Sequence, residues 1–196
     1  MSGRAAVFLD RDGVLNALVA DPVSGRPESP LHPDDVVLLD GAAAAVRALA
    51  AAGLLLVGAS NQPAAAKQTV ELAQLEAVQA RVVELLAQRG ATLDDFRICW
   101  HHPDGADPVL GRVCDCRKPA PGMLLDAARA HGIDLAASWM VGDGDNDVAA
   151  GAAAGTRTVL IEHPPSAHKR SPASAPTLRA PDLPAAVAML LDPASR

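Results

Sequence analysis

The stretch "AAVFLDRDGVLN", residues 5–16, runs apolar from Ala5 to Leu9 and then turns abruptly to Asp10-Arg11-Asp12-Gly13. A short run with no polar side chain reads as a strand buried on both faces, which is how strands of a parallel sheet covered by helices look. The same unit recurs along the chain. A helix is expected over 41–53, closed by Gly53, then a strand over 54–60, and a long helix over 69–90, closed by Gly90. Further strands follow at 94–100, 137–144 and 156–162, alternating with helices from about 121 to 130 and over 147–155. Strand–helix alternation of this kind predicts an α/β fold with a Rossmann-like, doubly wound parallel sheet. Residues 17–35 and 163–181 are broken by Pro, Gly and Ser and read as irregular surface connections, and 182–191 as a closing helix.

A length of 196 residues suits a single domain, 1–196, without a second core. Hydrophobic residues make up 49% but aromatics only 2%, with no tyrosine, so the core is expected to be Val, Leu, Ile and Ala. A formal charge of −6 excludes a general electrostatic pull toward nucleic acid or anionic membranes. No apolar run approaches a membrane span, and the N-terminus lacks a signal-peptide core. A cytoplasmic monomer acting on a small molecule is therefore expected, with neither nucleic acid nor membrane as partner.

In doubly wound sheets ligands bind beyond the carboxyl ends of the strands. Those ends carry Asp10 and Asp12, then Ser60-Asn61-Gln62, then Asp143 to Asp147, and Lys118 lies in the loop between the third and fourth strands. Crowded carboxylates repel unless a cation sits among them, and oxygen ligands suit Mg²⁺. A lysine and a serine beside that cation form a receptacle for a phosphate. "GDGDND" (142–147) lacks the downstream glutamate that a calcium loop of the EF-hand type needs.

The loop "CWHHPDGADPVLGRVCDC", residues 99–116, contains all three cysteines. An odd number of cysteines makes a poor disulfide framework. Cys99, Cys114, Cys116 and either His101 or His102 give a four-ligand thiolate and imidazole set that fits structural tetrahedral zinc. The competing reading is a buried Cys99 beside an exposed Cys114/Cys116 redox pair. Catalytic zinc is disfavoured because four protein ligands leave no open position.

Taken together, "VFLDRDGVLN", "GASNQ", "RKPAPGM" and "VGDGDND" resemble the four ordered motifs of the haloacid dehalogenase superfamily of phosphatases, over about residues 6–162. The resemblance implies that Asp10 is the nucleophile, forming an aspartyl-phosphate. It implies that Asp12 protonates the leaving oxygen and later activates water. Mg²⁺ would be held by Asp10, the backbone carbonyl of Asp12, Asp143 and, through water, Asp147. Ser60 and Lys118 would hold the phosphoryl oxygens, with Asn61 and Arg117 as phosphate or substrate contacts. Substrate contacts are also expected from Asn16, Gln62 and Lys67.

The stretch between Asp10 and Ser60 is filled by one helix and one strand, so no separate cap domain fits there, and loops 17–35 and 99–117 are expected to wall the site. A cysteine/histidine loop directly before "RKPAPGM" resembles the branch of heptose-bisphosphate and histidinol-phosphate phosphatases, and favours His101 as the zinc ligand. "LDRDGVLN", with Asn16, looks more like the heptose branch, which implies a small phosphorylated sugar as substrate. Histidinol phosphate or another small sugar phosphate is the alternative. A zinc-containing nucleic-acid end-processing module is the alternative of another class. The heptose branch commonly continues after "NQ" with Ser-Gly and an Arg. Here Pro63-Ala64-Ala65-Ala66 leads to Lys67, which is either a contact to a distal phosphate or a solvated lysine at a helix start.

Overall fold

A computed structural model describes residues 3–21 and 24–192. Pro22 and Val23 of the 17–35 connection, and the ends of the 1–196 span, lie outside the described residues. In chain order the elements are β1 (Ala6–Leu9), β2 (Val19–Ala20), β3 (Pro27–Glu28), α1 (Ala42–Ala51), β4 (Leu55–Asn61), α2 (Leu72–Gln88) and β5 (Asp95–Cys99). There follow α3 (Gly122–His131), β6 (Trp139–Gly142), α4 (Asp145–Ala154), β7 (Arg157–Ile161), β8 (Leu178–Ala180) and α5 (Leu183–Leu191).

The main sheet has six strands in the order β5-β4-β1-β6-β7-β8, and every pair is parallel. β1 is the switch point. From it the chain winds out through α1 to β4 and β5, then crosses back to pair β6 on its other side. Alternate residues of β1 serve opposite layers, as the period of two requires. Val7 and Leu9 pack with α1, α2 and α5, where Val46, Leu49, Val82 and Leu86 are buried. Ala6 and Phe8 pack with α3 and the end of α4 around Met123, Leu124 and Met140. Each large apolar side chain taken out of water here contributes about 1.5–3 kcal/mol. The buried strands thus satisfy the expectation of a doubly wound sheet covered on both faces.

Three expectations need correction. Residues 163–181 are not irregular throughout: they form a 3₁₀ turn at 164–169 and then β8, which pairs with β7 from Val159↔Leu178 to Ile161↔Ala180. A three-residue strand flanked by Pro and Ser has too few residues to show a period, and an edge position tolerates such a sequence. Thr158 and Thr177 fasten its start, each backbone N–H donating to the other's hydroxyl at 3.1 Å. Residues 17–35 hold an antiparallel hairpin, β2 with β3, and no larger insertion is present among the described residues between β1 and α1. Finally, α2 begins at Leu72 rather than near residue 69. The preceding residues form turns, with Lys67 N–H donating to the Pro63 carbonyl at 3.0 Å, so Lys67 does not sit at a helix start.

Candidate active site

β1, β4 and β6 lie side by side and end at the same edge of the sheet, so the residues that follow them converge. Asp10 continues β1, its N–H donating to the Val141 carbonyl at 2.9 Å. Ser60 lies near the end of β4, and Asp143 directly follows β6. Asp147 lies in the first turn of α4, where one carboxylate oxygen accepts the Gly144 N–H at 3.0 Å. The carboxylate oxygens of Asp10, Asp143 and Asp147 lie within 4.8 Å of one another, and all three residues are buried. Gly13 permits this approach. Its φ of +86° favours glycine, and a Cβ there would collide with the Asp143 carboxylate.

Lys118 faces the carboxylates from the β5–α3 loop. Its Nζ lies 2.9 Å from Asp10 Oδ1 and 2.6 Å from Asp147 Oδ1, and donates to the Ala59 carbonyl at 2.6 Å. Asn61 holds it in place with a reciprocal pair: the Asn61 amide donates to the Lys118 carbonyl at 2.9 Å and accepts its N–H at 3.0 Å. Burial works against the Lys118 charge, but Asp10 and Asp147 outweigh it and raise the ammonium above the ordinary lysine range. Burial pushes the Asp143 carboxyl up to about 7, with Asp10 and Asp147 adding like charge against the pull of Lys169. Asp147 is raised by burial and by Asp10. Buried carboxylates this close together repel one another, and an all-oxygen donor set suits a hard divalent cation such as Mg²⁺.

Asp12 is in a different environment. Its carboxylate accepts from Arg11 Nε at 3.1 Å and Nη2 at 3.0 Å, from Asn16 Nδ2 at 2.8 Å and from Gln62 Nε2 at 2.6 Å. Burial alone would raise it, but Arg11 and these hydrogen bonds hold it below the usual carboxylate range. It is not part of the carboxylate trio. Of the residues expected to touch substrate, Asn16 is fully buried behind Asp12 and does not line the cavity. The Gln62 amide bridges Asp12 and the Ser60 hydroxyl, at 2.6 and 2.9 Å, and faces a neighbouring compartment. Both positions follow from a fold that seals the back of Asp12.

A cavity of about 370 Å³ lies in front of the trio, lined by Asp10, Asp12, Ser60, Asn61, Lys67, Arg117, Lys118, Asp143 and Asp147. Lys67 also lines the second compartment, about 400 Å³, whose other wall is the β2–β3 hairpin with Glu28 and Ser29. Glu28 comes from the 17–35 loop expected to wall the site, while His168 and Lys169 were not anticipated from the sequence. A signal did exist for the last two, since His168-Lys169-Arg170 follows the carboxyl end of a strand.

Of the 99–117 loop expected to wall the site, only Arg117 lines the cavity, and the cysteine/histidine cluster precedes it in sequence. Sulfur–sulfur separations are 3.6 Å for Cys99–Cys114, 3.3 Å for Cys99–Cys116 and 3.2 Å for Cys114–Cys116. His101 Nδ1 lies 3.3 Å from the Cys116 sulfur and 3.8 Å from the Cys99 sulfur. Ligands 2.3 Å from a tetrahedral zinc ion stand about 3.8 Å apart, so these four atoms are compatible with one such ion. His101 belongs to this group and His102 does not: His102 Nδ1 instead accepts the Asp104 N–H at 3.1 Å. Burial raises the Cys99 and Cys116 thiols. Arg117, directly after the cluster, donates to the His101 carbonyl at 3.2 Å, which ties its guanidinium to the loop.

The chain is similar to several known proteins. The HAD-hydrolase-like family pattern matches residues 115–186. The chain is 39% identical over 157 residues to D-glycero-β-D-manno-heptose-1,7-bisphosphate 7-phosphatase of Escherichia coli K12, covering 80% of this chain and 78% of that one. The Rhodopseudomonas palustris protein of the same name is 37% identical, covering 78% and 80%. Among solved structures, D,D-heptose 1,7-bisphosphate phosphatase from B. bronchiseptica, complexed with magnesium and phosphate, superposes with a TM-score of 0.77 at 32% identity, over 95% of this chain and 98% of that one. A HAD-like phosphatase from Mesorhizobium loti gives 0.73 at 32% identity, over 83% and 74%.

Proposed function

The chain belongs to the haloacid dehalogenase (HAD) superfamily of phosphatases, and from that premise we propose that it hydrolyses the 7-phosphate of D-glycero-D-manno-heptose 1,7-bisphosphate in a Mg²⁺-dependent reaction. The observation that carries this reading is the buried Asp10–Asp143–Asp147 trio beside Lys118 and Ser60, at the mouth of a cavity wide enough for a sugar phosphate. The substrate rests on the names of the relatives, and the chemistry on the residues.

Asp10 is the nucleophile. One carboxylate oxygen bonds to phosphorus as the ester P–O bond breaks, and the leaving alkoxide takes a proton from Asp12, which enters this half in its protonated form. In the second half Asp12, again a carboxylate, removes a proton from water. That oxygen then bonds to phosphorus and the Asp10–phosphorus link breaks, releasing inorganic phosphate. The clamp of Arg11, Asn16 and Gln62 supports Asp12 as the base of this half, because it favours the ionised form. Lys118, Ser60 and the N-terminus of α4 meet the charge on the phosphoryl oxygens. Mg²⁺ would be held by Asp10, Asp143 and Asp147 with the Asp12 carbonyl, and when bound it neutralises charge so that two anions can approach. Zinc bound by Cys99, His101, Cys114 and Cys116 would serve structure, stiffening the loop from which Arg117 and Lys118 project. Asn61, Arg117 and Lys67 are the remaining candidates for holding the substrate.

The test is phosphate release from the heptose bisphosphate and from histidinol phosphate, each with Mg²⁺ and with EDTA. Mg²⁺-dependent release, much faster from the sugar, is the expected result. Preference for histidinol phosphate would overturn the substrate, and no release from any small phosphate would overturn the reading. No helix among the described residues is long and apolar enough to cross a membrane.

A further inference from the structure

The segment joining β7 to β8 brings to the site a cation that none of the four motifs contains. Lys169 Nζ lies 3.0 Å from Asp143 Oδ2 and 3.4 Å from Oδ1, and its side chain is only 26% exposed. It lines the same cavity as Ser60, Arg117 and Lys118.

This placement is built. Arg170, the next residue, reaches back with Nη1 to the carbonyls of His163 at 3.0 Å, Ile161 at 3.3 Å and Asp143 at 3.4 Å, and to the Ser166 hydroxyl at 2.9 Å. The Ser171 N–H donates to Asp145 at 2.8 Å. The turn is thus fastened to the end of β7 and to both ends of the Asp143–Asp145 link. Gly144 leaves room for the lysine stem, since a Cβ at that position would stand 3.2 Å from Lys169 Cβ.

The charge balance indicates what the ammonium is for. Lys118 is already engaged by Asp10, Asp147 and the Ala59 carbonyl. Lys169 is ion-paired with Asp143, a carboxylate that a divalent cation would share. With that carboxylate's charge taken up by the cation, a phosphate oxygen in the same cavity is the anion left for the ammonium. We propose that Lys169 is a second phosphate-binding lysine, holding the substrate's reacting phosphoryl group opposite Lys118. This rests on the phosphatase reading above.

The experiment titrates inorganic phosphate calorimetrically into the full chain at saturating Mg²⁺, comparing wild type with Lys169→Gln and Lys169→Arg. Mg²⁺ titrations without phosphate, kcat and KM on the heptose bisphosphate, and melting temperatures run alongside. Lys169→Gln is expected to weaken phosphate about tenfold or more, which corresponds to about 1.4 kcal/mol, and to raise KM. Lys169→Arg should restore most of both. Mg²⁺ affinity should stay the same or rise, because Asp143 loses a competing cation. Phosphate affinity within twofold of wild type in Lys169→Gln would overturn the proposal. So would an equal loss of Mg²⁺ affinity, or a fall in melting temperature that arginine does not repair. Wild-type protein that binds no phosphate with Mg²⁺ would overturn the phosphatase reading itself.

Discussion

Among the described residues there are two clusters of metal-type donors, and they are stabilised in opposite ways. Asp10, Asp143 and Asp147 are all buried and carry their own counter-charges, Lys118 and Lys169, in ion pairs of 2.6–3.0 Å. Three strand ends and a helix start hold them where they are. Cys99, His101, Cys114 and Cys116 are bound chiefly to one another, and only Cys99 is buried. The first cluster is a feature of the sheet that an ion would complete. The second gathers parts of a loop that has no strand of its own to hold it beyond Cys99. The carboxylates should therefore matter for turnover without holding up the fold, and the cysteines should do the reverse.

Asp10→Asn gives the largest expected effect, a loss of turnover of about 10⁴-fold or more, as for a nucleophile acting with its partners as a unit. Its melting temperature should stay within a few degrees of wild type, because one of three like charges is removed. A phosphate-release assay with a thermal melt checks both, and retained turnover would remove Asp10 from the nucleophile's role. Cys114→Ser should reverse the pattern, costing on the order of 2–4 kcal/mol of stability with kcat largely kept and KM raised. Unchanged stability and unchanged zinc content by atomic absorption would break the contrast between the clusters.

Gly13→Ala should cost about 1–3 kcal/mol, since its φ of +86° is strained for alanine and the new methyl drives into the Asp143 carboxylate. It should also weaken Mg²⁺ binding in calorimetry, which a purely local backbone effect would leave alone. The smallest effect expected is that of pH. Asp143 is raised to about 7 in the folded chain from an unfolded value near 3.8. Between those values the folded chain holds a proton that the unfolded chain lacks. Its contribution to stability is thus fully present below about pH 4 and is lost as pH rises through 7. Mg²⁺ must displace that proton, so its affinity should fall by up to about tenfold per pH unit below 7. Melts with and without Mg²⁺ at pH 6 and pH 8 should show the larger Mg²⁺-dependent rise at pH 8.

Much of this was legible in the chain because the signals are local. Apolar runs such as Ala5–Leu9 and Leu54–Ala59, each ending in a polar cluster, identify both a strand and the edge at which it stops. C-x-H and C-x-C spacings likewise bring ligands together over short distances. Other features depend on which parts of the chain meet. β8 has three residues and no period of its own, and it is a strand because β7 offers a free edge. Asn16 and Gln62 look like contacts at the mouth of the site, but packing turns both behind Asp12. Arg11 stands between two aspartates with no role assigned to it from the sequence, and it is fully buried as the fork that holds Asp12 ionised. Lys169 stands in a Pro- and Ser-rich stretch that looks like solvent-exposed linker, and Arg170 turns it into the site.

By itself the sequence determined a parallel α/β sheet, the order of its acidic strand ends and a four-ligand sulfur and nitrogen set, because apolar periodicity and short-range spacing are properties of neighbouring residues. Only the tertiary structure decided that Asp12 is clamped while Asp143 is held near 7, that His101 rather than His102 faces the cysteines, and that Lys169 reaches the carboxylates. Charge environment and ligand choice depend on distances between segments far apart in the chain, and those distances exist only once the sheet has brought the segments together.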